Sequence, residues 1–253
     1  MRASFLAFAL LFGCAQTPDK DYDRWKRELE MQEEGKTPLW ATIDHPVAMA
    51  FVAGGPGSFK YKTSGRGGPG RRETTNANLY RVAYMAPMGA MIDFMHTTED
   101  MSSGTSADDF DIWFFANRPL WPNKRLRFQT RPGGYFQKLN LKKAQPGDFE
   151  PWTLGFRFEL EGEVDIVKAY RFNLSAYASG RIGGGWGRTK VNGVEDGTTS
   201  WGYGWEAGVR AQYQRWFLAA SWIDKTTQMG GSSLYSEGEY GFAGGMLSVG
   251  LRW

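Results

Sequence analysis

The chain has a single cysteine, Cys14, and two histidines, His45 and His96, in 253 residues. One cysteine has no partner, so a disulfide framework is excluded. So few histidines and cysteines leave no cluster with metal-ligand spacing, and no metal or cofactor is expected. No internal run approaches the roughly 20 apolar residues of a membrane-spanning helix. The formal charge is only +3, and the lysines and arginines are scattered, so the electrostatic footprint of a nucleic-acid binder is missing. What the chain does have is glycine, 33 residues, and aromatics, 15% of the total, against a hydrophobic content of 42%. Its mean hydropathy of −0.47 is that of a hydrophilic protein.

Aromatic richness and low average hydropathy are reconciled by alternation. Trp152, Leu154, Phe156, Phe158 and Leu160 alternate with Thr153, Gly155, Arg157, Glu159 and Glu161. Trp201, Tyr203, Trp205, Val209 and Tyr213 alternate with Gly202, Gly204, Glu206, Arg210 and Gln212. Phe172, Leu174, Ala176 and Ala178 follow the same rule. A side-chain period of two is the signature of a strand with one apolar and one polar face. The runs are about the 9–11 residues that a tilted strand needs to cross a bilayer. Aromatics gather near their ends, at Tyr170, Trp186, Trp201, Tyr213 and Trp216, as interfacial girdles require. Less regular strands are expected over 47–53, 79–86, 90–97, 110–116, 125–140 and 216–225. A soluble β-sandwich or lipocalin-like carrier is the competing reading. It must explain an aromatic face on 201–213 with no covering helix.

The final segment carries the same pattern. Leu247, Val249, Leu251 and Trp253 share one face, while Met246, Ser248, Gly250 and Arg252 share the other. This resembles the C-terminal strand of bacterial outer-membrane proteins, which a barrel-assembly machine reads. Over roughly residues 40–253 the chain resembles the small outer-membrane barrel families of eight to ten strands. The resemblance implies a bacterial outer-membrane location, with membrane lipid, the assembly machinery and other envelope proteins as partners. At the other end, Arg2 and the apolar stretch Ala3 to Gly13 read as an export signal over residues 1–15. Two cleavage readings stay open: a lipobox with lipid on Cys14, or an ordinary small-residue site before Gln16. Residues 16–40 are charged and read as a periplasmic linker or short helix, and 41–253 as the barrel.

Loop lengths give the topology. Both termini of such a barrel lie on the periplasmic side, where turns are short. Long outer segments are expected at 54–77, 101–108, 141–150, 190–199 and 228–240, with the glycine-rich stretch 65–72 mobile. Tight inner turns are expected at 87–89, 119–124, 167–169 and 214–215. The alternation gives an all-β, transmembrane, antiparallel up-and-down barrel of about ten strands. If 110–140 were a folded outer loop, the count would be about eight.

On this reading Arg81, Asp93, Arg127, Arg157, Glu159, Glu161, Glu163, Arg171, Arg181, Glu206 and Arg210 point into the lumen. Charges of both signs in a narrow, poorly hydrated interior must pair or stay wet. Paired, they form a bracing network and close the barrel; wet, they line a narrow pore for small solutes. A third function class is hydrolysis. Omptin-like proteases need acids and an Asp–His couple at the outer rim, and lipid A deacylases need a hydroxyl activated by histidine. His96, with Thr98 and Glu99, is the candidate set for lipid A modification. Alternation places His96 on the lipid face with Ile92 and Phe94, however, so the sequence favours a structural or interaction role through the outer loops over catalysis.

Overall fold

The computed structural model describes residues 48–65, 71–86, 88–97, 106–122, 126–142, 149–169, 172–230, 232–233 and 235–252. The export-signal, Cys14 and linker assignments lie outside the described residues, as do Thr98, Glu99, Arg171, Trp253 and most of the segment expected to be mobile at 65–72.

The described chain is antiparallel strand throughout: β1 (Met49–Gly65), β2 (Arg71–Met85), β3 (Met88–Thr97), β4 (Ser106–Ala116), β5 (Arg118–Pro122), β6 (Leu126–Lys142), β7 (Phe149–Lys168), β8 (Phe172–Val191), β9 (Val194–Tyr213), β10 (Trp216–Gly230) and β11 (Tyr235–Arg252). Each strand pairs with its sequence neighbours. Pairing of β1 with β11, from Met49↔Arg252 upward, joins the first strand to the last. The short β5 is not an additional stave. Phe115 faces Gly133 of β6, and Arg118 faces Thr130 in the same register, so β4 and β5 are one line of chain interrupted at Asn117. They are distinguished because β3 ends at Met88, opposite Ala116, and leaves β5 paired on one side only. The barrel is therefore closed and ten-stranded. The eight-strand alternative is excluded, because 110–140 supplies two staves rather than an outer loop.

The strands are longer than alternation suggests, and three expected outer loops are mostly strand. Segment 54–77 is the paired upper half of β1 and β2, in register from Gly54↔Tyr80 to Thr63↔Arg71. Segment 190–199 is a two-residue hairpin: β8 and β9 pair up to Val191↔Val194 around Asn192 and Gly193, with φ of 50° and 84°. Positive φ at both central residues matches the right-handed twist of the flanking strands, which is why Asn-Gly serves there. Segment 228–240 is likewise strand up to Gly230 and again from Tyr235. At the inner end, Val167 and Lys168 belong to β7, and 119–122 belong to β5, rather than to turns.

Outward residues form the lipid face. Leu154, Phe156, Leu160, Ile182, Trp201, Trp205, Val209, Leu218, Trp222 and Leu247 are all exposed, as are Tyr80, Val82, Tyr84, Phe94 and Phe114. In a soluble protein this much exposed apolar surface would be an aggregation site. Around a closed barrel it is the band that meets acyl chains.

Candidate functional site

The inward faces hold the chemistry. The lumen is filled in tiers, each built from side chains at alternate positions on facing strands. At the end nearest the termini, Glu163 of β7 is a hub. Its carboxylate lies 3.1 Å from Arg127 Nη2, 3.1 Å from Arg210 Nη1 and 3.2 Å from Arg252 Nη1, and Ser175 Oγ donates to it at 2.7 Å. Asp165 beside it accepts from Arg127 Nη2 at 2.6 Å and from Asn173 Nδ2 at 2.9 Å.

The next tier has three connected groups. Arg131, fully buried, bridges Glu159 and Glu161, the latter at 2.9 Å, and Gln129 Nε2 also donates to Glu161 at 2.7 Å. Arg157 pairs with Asp111 at 2.9 Å and lies 4.5 Å over the ring of Tyr135. Arg81 Nε and Nη2 grip both oxygens of Asp93 at 2.6 and 3.1 Å, while its Nη1 reaches Glu206 on the other side of the barrel at 2.6 Å. Bidentate, charge-assisted bonds of this kind fix geometry as well as contributing energy. Tyr177 Oη donates to Glu206 at 3.2 Å and its ring carries Arg210 4.7 Å from the centroid.

Higher still, Lys225 Nζ lies 3.2 Å from Asp109, and Gln137 Nε2 donates to the same carboxylate at 3.1 Å. Interleaved with this tier is an apolar cluster: Phe59, Leu79, Met95, Leu139, Leu141, Ile223 and Phe242 are buried together, Met95 and Leu139 in register with Asp109 on either side. Among these residues lies a cavity of about 10 Å³, bordered by Asp109, Gln137, Lys225, Thr227 and Tyr240. That is room for no more than about one water. Glycines let the large side chains cross. A methyl on Gly204 would stand 3.2 Å from Arg181 Nε, and one on Gly185 would stand 2.9 Å from Tyr135 Oη.

Among the described residues the inward cations are Arg81, Arg127, Arg131, Arg157, Arg181, Arg210, Lys225 and Arg252. The inward anions are Asp93, Asp109, Asp111, Glu159, Glu161, Glu163, Asp165 and Glu206. Charges of both signs thus stand inside the lumen. Arg181 has no ion-pair partner among the described residues, and its Nη2 is buried without a hydrogen bond. Of the sequence-derived lumen positions, the structure brings Arg81, Asp93 and Glu206 together, Arg127 and Arg210 to Glu163, and Arg157 to Asp111. Arg131, Asp109, Asp111, Lys225 and Arg252 were not singled out, although the same alternation puts them inside. The apolar side chains packed among these charges were missed because a barrel lumen is ordinarily polar.

His96 projects outward. Its Nδ1 lies 2.5 Å from Asp108 Oδ1, with 54% and 38% of the two side chains exposed, and its ring stacks on Phe94. No hydroxyl nucleophile is placed on this couple among the described residues. No cluster of three or more His, Cys, Asp or Glu that could hold a metal occurs among them either. Leu247, Val249 and Leu251 of the closing strand lie on the outward face, with Leu247 64% exposed.

No family model matches the chain, and no curated protein matches it. Among solved structures the chain is similar to the outer-membrane protease OmpT from Escherichia coli, at 10% identity over 82% of this chain and 96% of that one, with a TM-score of 0.47. It is similar to Neisserial surface protein A at 13% identity, over 79% and 96% of the two chains, with a TM-score of 0.33. It is also similar to the translocator domain of the autotransporter NalP from Neisseria meningitidis, at 12% identity over 92% and 98%, with a TM-score of 0.35. The location follows from the barrel itself. Only helices and closed barrels satisfy every backbone group within a bilayer, and here the sheet is closed and its outside apolar and rich in aromatics. The chain is a closed β-barrel whose apolar outer face is that of a protein spanning a membrane with its strands.

Proposed function

We propose that this barrel is a closed brace that acts through its outer hairpins and does not conduct solutes. The observation that carries this reading is the filled lumen: ion pairs reach across it from Arg81 to Glu206 and from Arg252 to Glu163, and buried aromatic and aliphatic side chains pack among the charges nearer the outer end. A pore requires a continuous wetted path. The membrane lipid, the assembly machinery and other envelope proteins are the partners this role implies, the last of these at the outer hairpins. The test is electrical. Purified protein reconstituted in a planar bilayer is expected to give no single-channel steps at neutral pH. Reproducible steps from the wild-type chain would overturn the closed reading in favour of the narrow-pore alternative.

The outer surface is itself tied together. Asp196, near the tip of the β8–β9 hairpin, accepts from Ser233 Oγ at 2.7 Å, from the Ser233 amide, from Gly197 N at 2.8 Å and from Ser232 Oγ at 3.0 Å. The Ser233 hydroxyl, then its amide, then the Gly197 amide and the Ser232 hydroxyl hold the Asp196 carboxyl well below the ordinary carboxylate range. All of these donors favour the charged form. A carboxyl whose folded pKa is depressed contributes above its unfolded pKa, and the contribution is lost as pH falls through the folded value. The tie between 196 and 232–233 is therefore expected to persist down through pH 4 (about the unfolded carboxylate pKa) and to release only below it. The Asp196 carboxyl carbon resonance in a pH titration reports this directly, and a midpoint at or above the ordinary value would refute it.

A further inference from the structure

The barrel wall is not equally tall all round. On β7 the outward apolar residues run from Trp152 to Ile166, on β8 from Trp186 to Phe172, and on β9 from Trp201 to Tyr213. On β2 they run only from Tyr80 to Tyr84 and on β3 only from Phe94 to Met88. The deficit is at the end nearest the termini. There β3 stops at Met88, opposite Ala116, while the β4–β5 line continues to Pro122 with β6 beside it. The β2 and β1 strands end together at Met85↔Met49, whereas β7 and β8 stay paired down to Lys168↔Asn173. At a rise of about 3.3 Å per residue and the usual strand tilt, the β1–β3 rim ends roughly 12 Å short of the β5–β8 rim. The short turns place this end at the periplasmic side.

The apolar face of β7–β9 sets how deep the inner leaflet reaches on the tall side. A flat bilayer of that depth would surround the β2–β3 turn with hydrocarbon. Met88 there is 73% exposed, and among the described residues the backbone groups at the ends of Met85 and Met88 have no further strand to bond to. Just inside the same rim, Met49, Met85, Met91 and Phe115 form a buried apolar cluster, so the wall separating it from lipid is low. Each unpaired backbone group in hydrocarbon costs several kcal/mol, against a fraction of a kcal/mol per ångström of thinning, so leaving several such groups in hydrocarbon costs more than the thinning that spares them.

We propose that the inner-leaflet phospholipids are drawn toward the membrane centre beside β1–β3, so that the barrel holds a locally thinned patch of bilayer on that side only. The partner of this surface is phospholipid, with headgroups at the level of Met88. The test uses full-length protein with Cys14→Ser and one new cysteine, M88C, F172C or N78C, each shown by heat-modifiable gel mobility to be folded. Each cysteine carries an environment-sensitive fluorophore. Vesicles contain phosphatidylcholine brominated at mid-chain or spin-labelled at the headgroup. Thinning predicts that the headgroup label quenches all three sites several-fold more than bromine does. Stronger mid-chain quenching at 88, or no quenching there by either probe, overturns the proposal. Mid-chain quenching at 78 overturns it in favour of a tilted barrel that sinks its outer rim.

Discussion

Replacing Arg81 with methionine is expected to cost about 3–5 kcal/mol of unfolding free energy, the range for removing one member of a buried ion pair. The substitution nearly preserves side-chain bulk, so cavity formation is not the main effect. It leaves Asp93 and Glu206 inside the barrel without the guanidinium that bonds both. Asp93 would keep Lys225, 3.7 Å away, and Glu206 the Tyr177 hydroxyl at 3.2 Å, with Arg181 acting on both only from farther off. Neither substitute neutralises a carboxylate as a bidentate arginine does. The triple variant R81M, D93N, E206Q is expected to recover most of the loss, because a buried charge network replaced as a unit by neutral groups is often tolerated. Urea titration in lipid vesicles, followed by the tryptophan fluorescence that this belt supplies, gives all three values. A single-variant loss below about 1 kcal/mol, the ordinary range for a point mutation, would show that the network is not what braces the barrel.

The faces of these strands were legible because alternation survives in a barrel more cleanly than in most folds. Both sides of each strand meet a defined environment, so Arg157 and Phe158 declare opposite faces without further information. The strand ends were not legible. Gly54, Gly55, Pro56 and Gly57 read as a loop by the usual punctuation of globular chains. In the structure they lie in β1, and the missing side chains make room. A methyl on Gly57 would stand 2.4 Å from the Ala243 carbonyl oxygen and 2.5 Å from Phe242 Cζ, so glycine there lets the Phe242 ring lie across the lumen. Segment 190–199 reads as a long loop because the flanks of Asn192-Gly193, Lys190 and Glu195 among them, are too polar to suggest continued pairing.

Partners across the lumen were hidden for a different reason. Which residue Arg81 meets on β9 depends on how far the sheet staggers as it closes, and that stagger is a property of the whole ring. Local pairing explains Arg81 with Asp93, which face each other in register on β2 and β3. Nothing local predicts Glu206. The apolar cluster in the lumen was equally unreadable: Phe59, Leu79 and Ile223 alternate as a lipid face would, and only the phase of the neighbouring charges shows that they point inward.

That dependence on closure gives the Glu163 hub its expected effect. Glu163 of β7 binds Arg127 of the adjacent β6, Arg210 of β9 and Arg252 near the end of β11, so one carboxylate joins four staves, and its contact with β11 exists only in the closed ring. Removing its charge with E163Q leaves three guanidiniums converging on a neutral amide, with Asp165 able to serve Arg127 alone. The loss should again be about 3–5 kcal/mol. Because the partners are buried, added salt should restore little of it, unlike a surface pair. A double-mutant cycle with R252M separates the closing contact from the rest: coupling of about 0.5–3 kcal/mol is expected if the Glu163–Arg252 contact is energetically real. Coupling near zero, with E163Q as stable as wild type, would mean that the backbone ladder between β1 and β11 closes the ring unaided and that the lumen charges are merely accommodated. A large loss with strong coupling would mean that the ring is held from within, by side chains that meet only once the first strand has found the last.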